Sequence, residues 1–182
     1  MNDEELQKII DDAEMSVDEI MEVLEKGDFL KTPVPAGECD RVCAEGEDYL
    51  YGRGVEQSYP EAYRLFTKAM EMGSPKATYL AAYCTFNGWG TGRSYEKSFE
   101  LMMEAALKGQ PDAEYELGRM YLSGLGIGRD VDEAVKWIRR SSDHNNCRAM
   151  KLLSELIDSG TAEPRSDDES TVLSVLYEIL SD

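Results

Sequence analysis

Residues 120–138 read MYLSGLGIGRDVDEAVKWI. Three glycines in five residues can cradle a phosphate or join two helices, and the choice decides the fold. A nucleotide loop needs a strand in front of it and a spacing such as GxGxxG or GxxxxGK followed by Ser or Thr. Leu117, Met120, Tyr121 and Leu122 instead recur at helical spacing, and no Lys-Ser or Lys-Thr follows the glycines. The segment therefore reads as a helix–helix connector.

Sliding the sequence along itself shows why the connector recurs. Gly124 aligns at a spacing of 36 residues with Gly88, Gly52 and Gly160, and Gly126 with Gly90 and Gly54. A column of small residues, Gly46, Ala82, Gly118 and Ser154, marks close helix–helix contact. Ser58, Ser94, Asp130 and Ser166 are residue types that cap helix starts. Glu61, Lys97, Glu133 and Glu169 follow three positions on, so three of the four complete a capping box. Gly73, Gly109 and Asn145 tolerate the left-handed conformation that ends a helix, and Pro75 and Pro111 restart the chain. Each unit is helix, glycine loop, helix, short turn. Three units span 41–76, 77–112 and 113–148, and a degenerate capping unit, 149–182, has Ala162 in place of the second loop glycine. Such units cannot bury an apolar face alone and stack into a shared core. Alternating strand patterns are missing, so the fold is expected to be all-α.

The stretches AEYELGRMYLSGLGIGRDVDEAVKWIRRSS (113–142) and YLYGRGVEQSYPEAYRLFTKAMEMGSPKA (49–77) resemble the Sel-1-like repeat family, a relative of the tetratricopeptide repeat. The resemblance implies a right-handed α/α superhelix that holds protein partners together. Cysteine-rich relatives carry a cysteine pair in each unit and have a hydrolase-like activity attributed to them. Here Cys39, Cys43, Cys84 and Cys147 give no unit a pair, so that activity is the alternative reading rather than the first.

The net charge of −18 sits at the ends. Residues 1–27 hold ten acidic and two basic side chains, residues 41–148 sixteen and fourteen, and residues 149–182 eight and two. Nucleic acid is not an expected partner, because its binding needs clustered Lys and Arg. No apolar run reaches the roughly 18 residues of a membrane span, so no membrane partner is expected. The acidic start MNDEELQKII lacks the basic region of a signal peptide, so a soluble cytoplasmic protein with reduced thiols is expected. Within residues 1–27, Leu6, Ile10, Ala13, Val17, Ile20 and Leu24 form an apolar stripe on a predicted helix. Residues 28–40 read as a linker. This acidic helix either caps the stack or folds as an arm over its concave surface.

No catalytic residue, metal site or cofactor is expected. His144 is the only histidine, in a turn, and carboxylates are read as solvated faces without an acid–base pair. Serine-nucleophile motifs such as SxxK and GxSxG are missing. The remaining constellation is the concave groove, lined by the first helix of each unit. It presents Tyr79, Tyr83, Asn87, Tyr115, Arg119 and Lys151, with Cys43, Glu47 and Tyr51 in the first unit, Glu155 in the last, and Lys76 and Arg148 at helix starts. Tyr79 and Tyr115 also suit framework packing, whereas Tyr83 and Arg119 are the expected anchors. Trp89, in the loop NGWGTG, is either a loop anchor or a cover between units. The expected function is a protein- or peptide-binding adaptor whose partner offers carboxylates to Arg119 and Lys151. The chain itself is expected to be a monomer or a weak homo-oligomer through Val172, Val175, Leu176 and Ile179.

Overall fold

The computed structural model describes residues 37–181 except residue 167. The predicted N-terminal helix (1–27) and most of the linker lie outside the described residues, as does the side chain of Ile179. Among the described residues the chain forms eight α-helices and no strand. They are α1 (Glu38–Tyr51), α2 (Tyr59–Glu71), α3 (Pro75–Asn87), α4 (Tyr95–Leu107), α5 (Pro111–Ser123), α6 (Val131–Asp143), α7 (Cys147–Asp158) and α8 (Glu169–Leu180). Each packs on the helix before and after it in chain order, giving an all-α repeat superhelix. None of these helices is long and apolar enough to cross a membrane.

Within a unit the small column receives a large side chain from the second helix. A Cβ at Gly46 would lie 2.6 Å from Phe66 Cε1, and one at Gly118 only 2.4 Å from Ile138 Cγ1. Phe66, Met102 and Ile138 occupy one column and are fully buried. In the last unit both partners change. Ser154 Oγ lies 2.9 Å from Ser174 Oγ and 3.1 Å from Ser170 Oγ, so a hydroxyl cluster replaces the knob and its hole.

Between units the second loop glycine makes the contact. Gly126 (φ 78°) has the start of α4 so close that a Cβ would meet Tyr95 O at 2.3 Å. Gly90 (φ 73°) lies in the same way on Tyr59 O, at 2.2 Å, at the start of α2. The GLGIG segment is thus a connector that also seats one unit on the preceding one. Buried Ala162 takes this position in the last unit. There Arg139 pairs with Glu169 and donates to the Glu163 carbonyl, while Arg165 grips Asp143 through both Nη atoms at 3.1 Å.

Helix starts depart in part from expectation. Ser94 Oγ accepts from Lys97 N–H at 3.2 Å and Asp130 Oδ1 from Glu133 N–H at 3.0 Å, as the capping pattern requires. Ser58 makes no such bond, and α8 begins after Asp168 rather than Ser166. The return half of the capping box is replaced. Glu61 pairs with Arg64 at 2.9 Å, Glu133 with Lys136, and Glu169 accepts from Arg165 N–H. A cation holds an oxygen of all three carboxylates, and Glu169, paired with Arg139, keeps its second oxygen for the Arg165 backbone. The helix ends follow the sequence reading, with Gly73, Gly109 and Asn145 all left-handed at φ 93°, 80° and 61°.

Candidate binding face

The first helices α1, α3, α5 and α7 form one face. Arg148, at the start of α7, lies beside the hydroxyl of Tyr79 on α3, reaching across α5. Side chains of helices two units apart thus come within reach of each other on this face. Burial pushes the Tyr79 phenol up to about 12, helped by Asp112 and opposed by Arg148. Arg148 also bonds Asp112 and stacks 4.8 Å above the Tyr115 ring.

The expected anchors are therefore engaged within the protein to different degrees. Tyr83 is half-buried and meets the Trp89 ring edge-on at 5.6 Å, so it packs rather than standing free. Trp89 in turn stacks on Tyr59 of the preceding unit at 5.1 Å and 8°, and so covers the joint between units. Asn87 Nδ2 donates to Tyr83 O of its own helix at 2.8 Å. Lys76 pairs with Glu47 at 2.7 Å. Lys151 lies 5.2 Å over the Tyr177 ring and remains exposed. Arg119, more than half exposed, donates to Glu116 at 3.0 Å and lies 5.8 Å over Tyr115.

Two clefts open on either side of Arg119. One of about 260 Å³ is lined by Phe86, Tyr115, Met120, Leu122, Leu125 and Leu152, with Glu116 and Ser123 as polar groups. The other, about 210 Å³, lies among Tyr83, Phe86, Asn87, Met102 and Met120, again with Glu116. A third of about 340 Å³ sits between Tyr115, Arg148, Lys151, Glu155 and Tyr177. The structure thus brings Tyr83, Asn87 and Arg119 to one cleft, Tyr115 and Arg119 to the next, and Tyr115 and Lys151 to the third.

Sequence reasoning missed Glu116, which stands at the centre of the face. Its side chain is mostly buried, and burial raises its pKa, with Arg119 and Arg148 opposing. The signal was available, because Glu116 shares a column with Ala44, Leu80 and Leu152. A second carboxylate overturns the expectation that acidic residues sit on solvated faces. Glu114 is fully buried, in the column of Val42, Thr78 and Met150. His144 Nδ1 lies 2.8 Å from its Oε2, and Arg140 Nε 2.7 Å from Oε1. The Arg140 N–H is not aimed at that oxygen, which makes this contact ionic rather than a directed hydrogen bond. His144 keeps its place in the turn and acts there as a structural partner. All four cysteines are free, and among the described residues no group of three or more His, Cys, Asp or Glu could hold a metal ion.

The comparisons with known proteins agree with this architecture. The Sel1 repeat model matches residues 46–74, 75–110 and 111–146. A Sel1 repeat protein from Oxalobacter formigenes is similar in structure, with TM-score 0.73 and 22% identity over 85% of this chain and 63% of that one. The protective antigen c5321 of uropathogenic Escherichia coli, which has an SLR fold, gives 0.66 and 22% over 79% of this chain and 31% of its own. Cysteine-rich protein B of Helicobacter pylori gives 0.54 and 19% over 63% and 89%. The chain spans less than two thirds of the length of the first two. No curated protein matches the sequence.

Proposed function

We propose that this chain, which belongs to the Sel1 repeat family, is a non-catalytic protein- or peptide-binding adaptor whose partner lies along the concave face of α3, α5 and α7. Sel1 repeats commonly serve as protein-interaction scaffolds. The observation that carries the reading is the pair of clefts beside Arg119, with apolar walls and a few polar groups at the rim. Concave sites with apolar walls and a few placed polar groups are where ligands bind. Tyr115 and Arg119 are of the residue types that dominate interface energies, and Arg119 is exposed at the junction of both clefts. A cytoplasmic setting fits the four free thiols.

The test fills a cleft without touching the core. Ser123 is exposed at the wall of the larger cleft, so Ser123→Trp places an indole into it. Lys97→Trp, on the exposed side of α4, is the control. The full chain and both variants, checked for equal melting temperature, are panned against a random twelve-residue peptide library. Peptides retained by the wild type and the control but lost by Ser123→Trp support the reading. Equal retention by all three, or no retention by any, overturns it.

A further inference from the structure

The partner's chemistry is narrowed by how the face distributes its charge. Three of its cations are already committed, Lys76 to Glu47, Arg148 to Asp112 and Arg119 to Glu116, while Lys151 stays exposed over the Tyr177 ring. A partner carboxylate would have to displace an internal one at each of these sites. Glu116 is in the opposite position. It is a mostly buried carboxylate in a column that is otherwise apolar, at the boundary of both clefts. Its nearest counter-ion is Arg119, three residues on, whose guanidinium is largely in water. Arg119 is the exposed half of this pair and keeps its hydration if it swings away. The second cation, Arg148, stands at 3.7 Å and is held by Asp112.

A carboxylate withdrawn from water without a matched partner is costly to keep, and a bound cation relieves that cost. Residues 41–148 hold sixteen acidic and fourteen basic side chains, so the attraction for a cation on this face is local, at Glu116. We propose, building on the adaptor reading above, that the occupant is a peptide segment in which a Lys or Arg stands beside a bulky apolar side chain. The apolar group fills the 260 Å³ cleft between Phe86, Met120, Leu122, Leu125 and Leu152, and the cation takes the place of Arg119 on Glu116. Burial raises the pKa of the empty site's carboxylate, and an incoming cation holds it ionised. This assignment differs from the acidic partner expected from the sequence at Arg119, which is paired with Glu116, and leaves Lys151 open to a carboxylate.

An array of random twelve-residue peptides, probed with the full chain at low and high salt, tests the assignment. Bound peptides are expected to be enriched in Lys or Arg next to Leu, Ile, Phe or Met, and to weaken with salt. Glu116→Gln is expected to bind those peptides about tenfold more weakly while keeping its hold on uncharged ones. Glu116→Leu, which installs the side chain of the neighbouring units, repeats the measurement if the glutamine variant does not fold. Enrichment of acidic peptides, or unchanged binding of basic ones by both variants, overturns the cationic assignment and leaves the adaptor reading standing. If no peptide binds, or Ser123→Trp changes nothing, the adaptor reading fails and this inference fails with it.

Discussion

Replacing Gly126 with alanine separates two roles a loop glycine can have. At Gly54, φ is 74° and an added Cβ would meet nothing within 4 Å. Gly54→Ala therefore costs only the left-handed conformation, about 1–2 kcal/mol. At Gly126, φ is nearly the same, 78°, but the Cβ would sit 2.3 Å from Tyr95 O and 2.6 Å from its carbonyl carbon. Those atoms are backbone at the start of α4, so no side chain can rotate to make room. The third unit must lift off the second by ~1 Å, and overpacking of this kind costs a further ~1–3 kcal/mol. For a chain of this size each kcal/mol moves the melting temperature by about 2–4 °C. Gly126→Ala is thus expected to melt roughly 2–12 °C below Gly54→Ala. Gly90→Ala, facing Tyr59 O at 2.2 Å, belongs with Gly126→Ala. Gly128→Ala, with open space and no positive φ, should melt like the wild type. Far-ultraviolet circular dichroism on the full chain reads all four. Equal melting of Gly54→Ala and Gly126→Ala would refute the claim that the loop glycine is an inter-unit contact.

Other outcomes follow from the same geometry. Ser94→Ala removes a cap that forms and should lower stability by ~1 kcal/mol in urea denaturation, whereas Ser58→Ala removes none and should change little. Burial pushes the Cys43 thiol up to about 11 and that of Cys84 to about 12. Iodoacetamide near pH ~8 should therefore label half-exposed Cys39 and Cys147 in the native protein, and Cys43 and Cys84 only after unfolding, as mass spectrometry would show. The raised pKa of Glu116 means that the native state holds its proton more tightly than the unfolded one, so this residue's contribution falls as pH rises through the raised value. Glu116→Leu should accordingly gain stability over wild type as pH climbs from the ordinary carboxylate range toward neutrality, measured as the difference between their denaturation midpoints.

Sequence and structure agree best where the period is enforced by contact. The glycine, small-residue and helix-end columns were readable because each repeats a backbone requirement: a positive φ at Asn145, or a missing Cβ opposite Ile138. Caps were less legible. A serine at Ser58 has the right type and position, yet whether its hydroxyl turns to the helix is a rotamer choice the sequence does not encode. Partnerships across units were illegible in the same way. Nothing in the local sequence says that Trp89 lies flat on Tyr59, or that Arg148 crosses to Tyr79, because both depend on the curvature of the stack. Among the expected anchors, Arg119 kept an exposed position while Tyr83 became packing, a distinction set by the neighbouring tryptophan.

A repeat protein carries its own internal comparison, and that separates packing from recognition. Where a column repeats one chemistry, a contact between or within units accounts for it. Where a column breaks and its contact partner changes with it, as from Gly46 with Phe66 to Ser154 with Ser174, packing still accounts for it. Glu114 breaks its column too, but His144 and Arg140 close over it, so its cost is met inside the fold. Glu116 breaks its column and is matched chiefly by Arg119, whose charge would be as well served by water. Arg119 departs from its own column of Glu47, Tyr83 and Glu155 together with Glu116, so the pair is a local change, and its location between two open clefts is what sets it apart from Glu114.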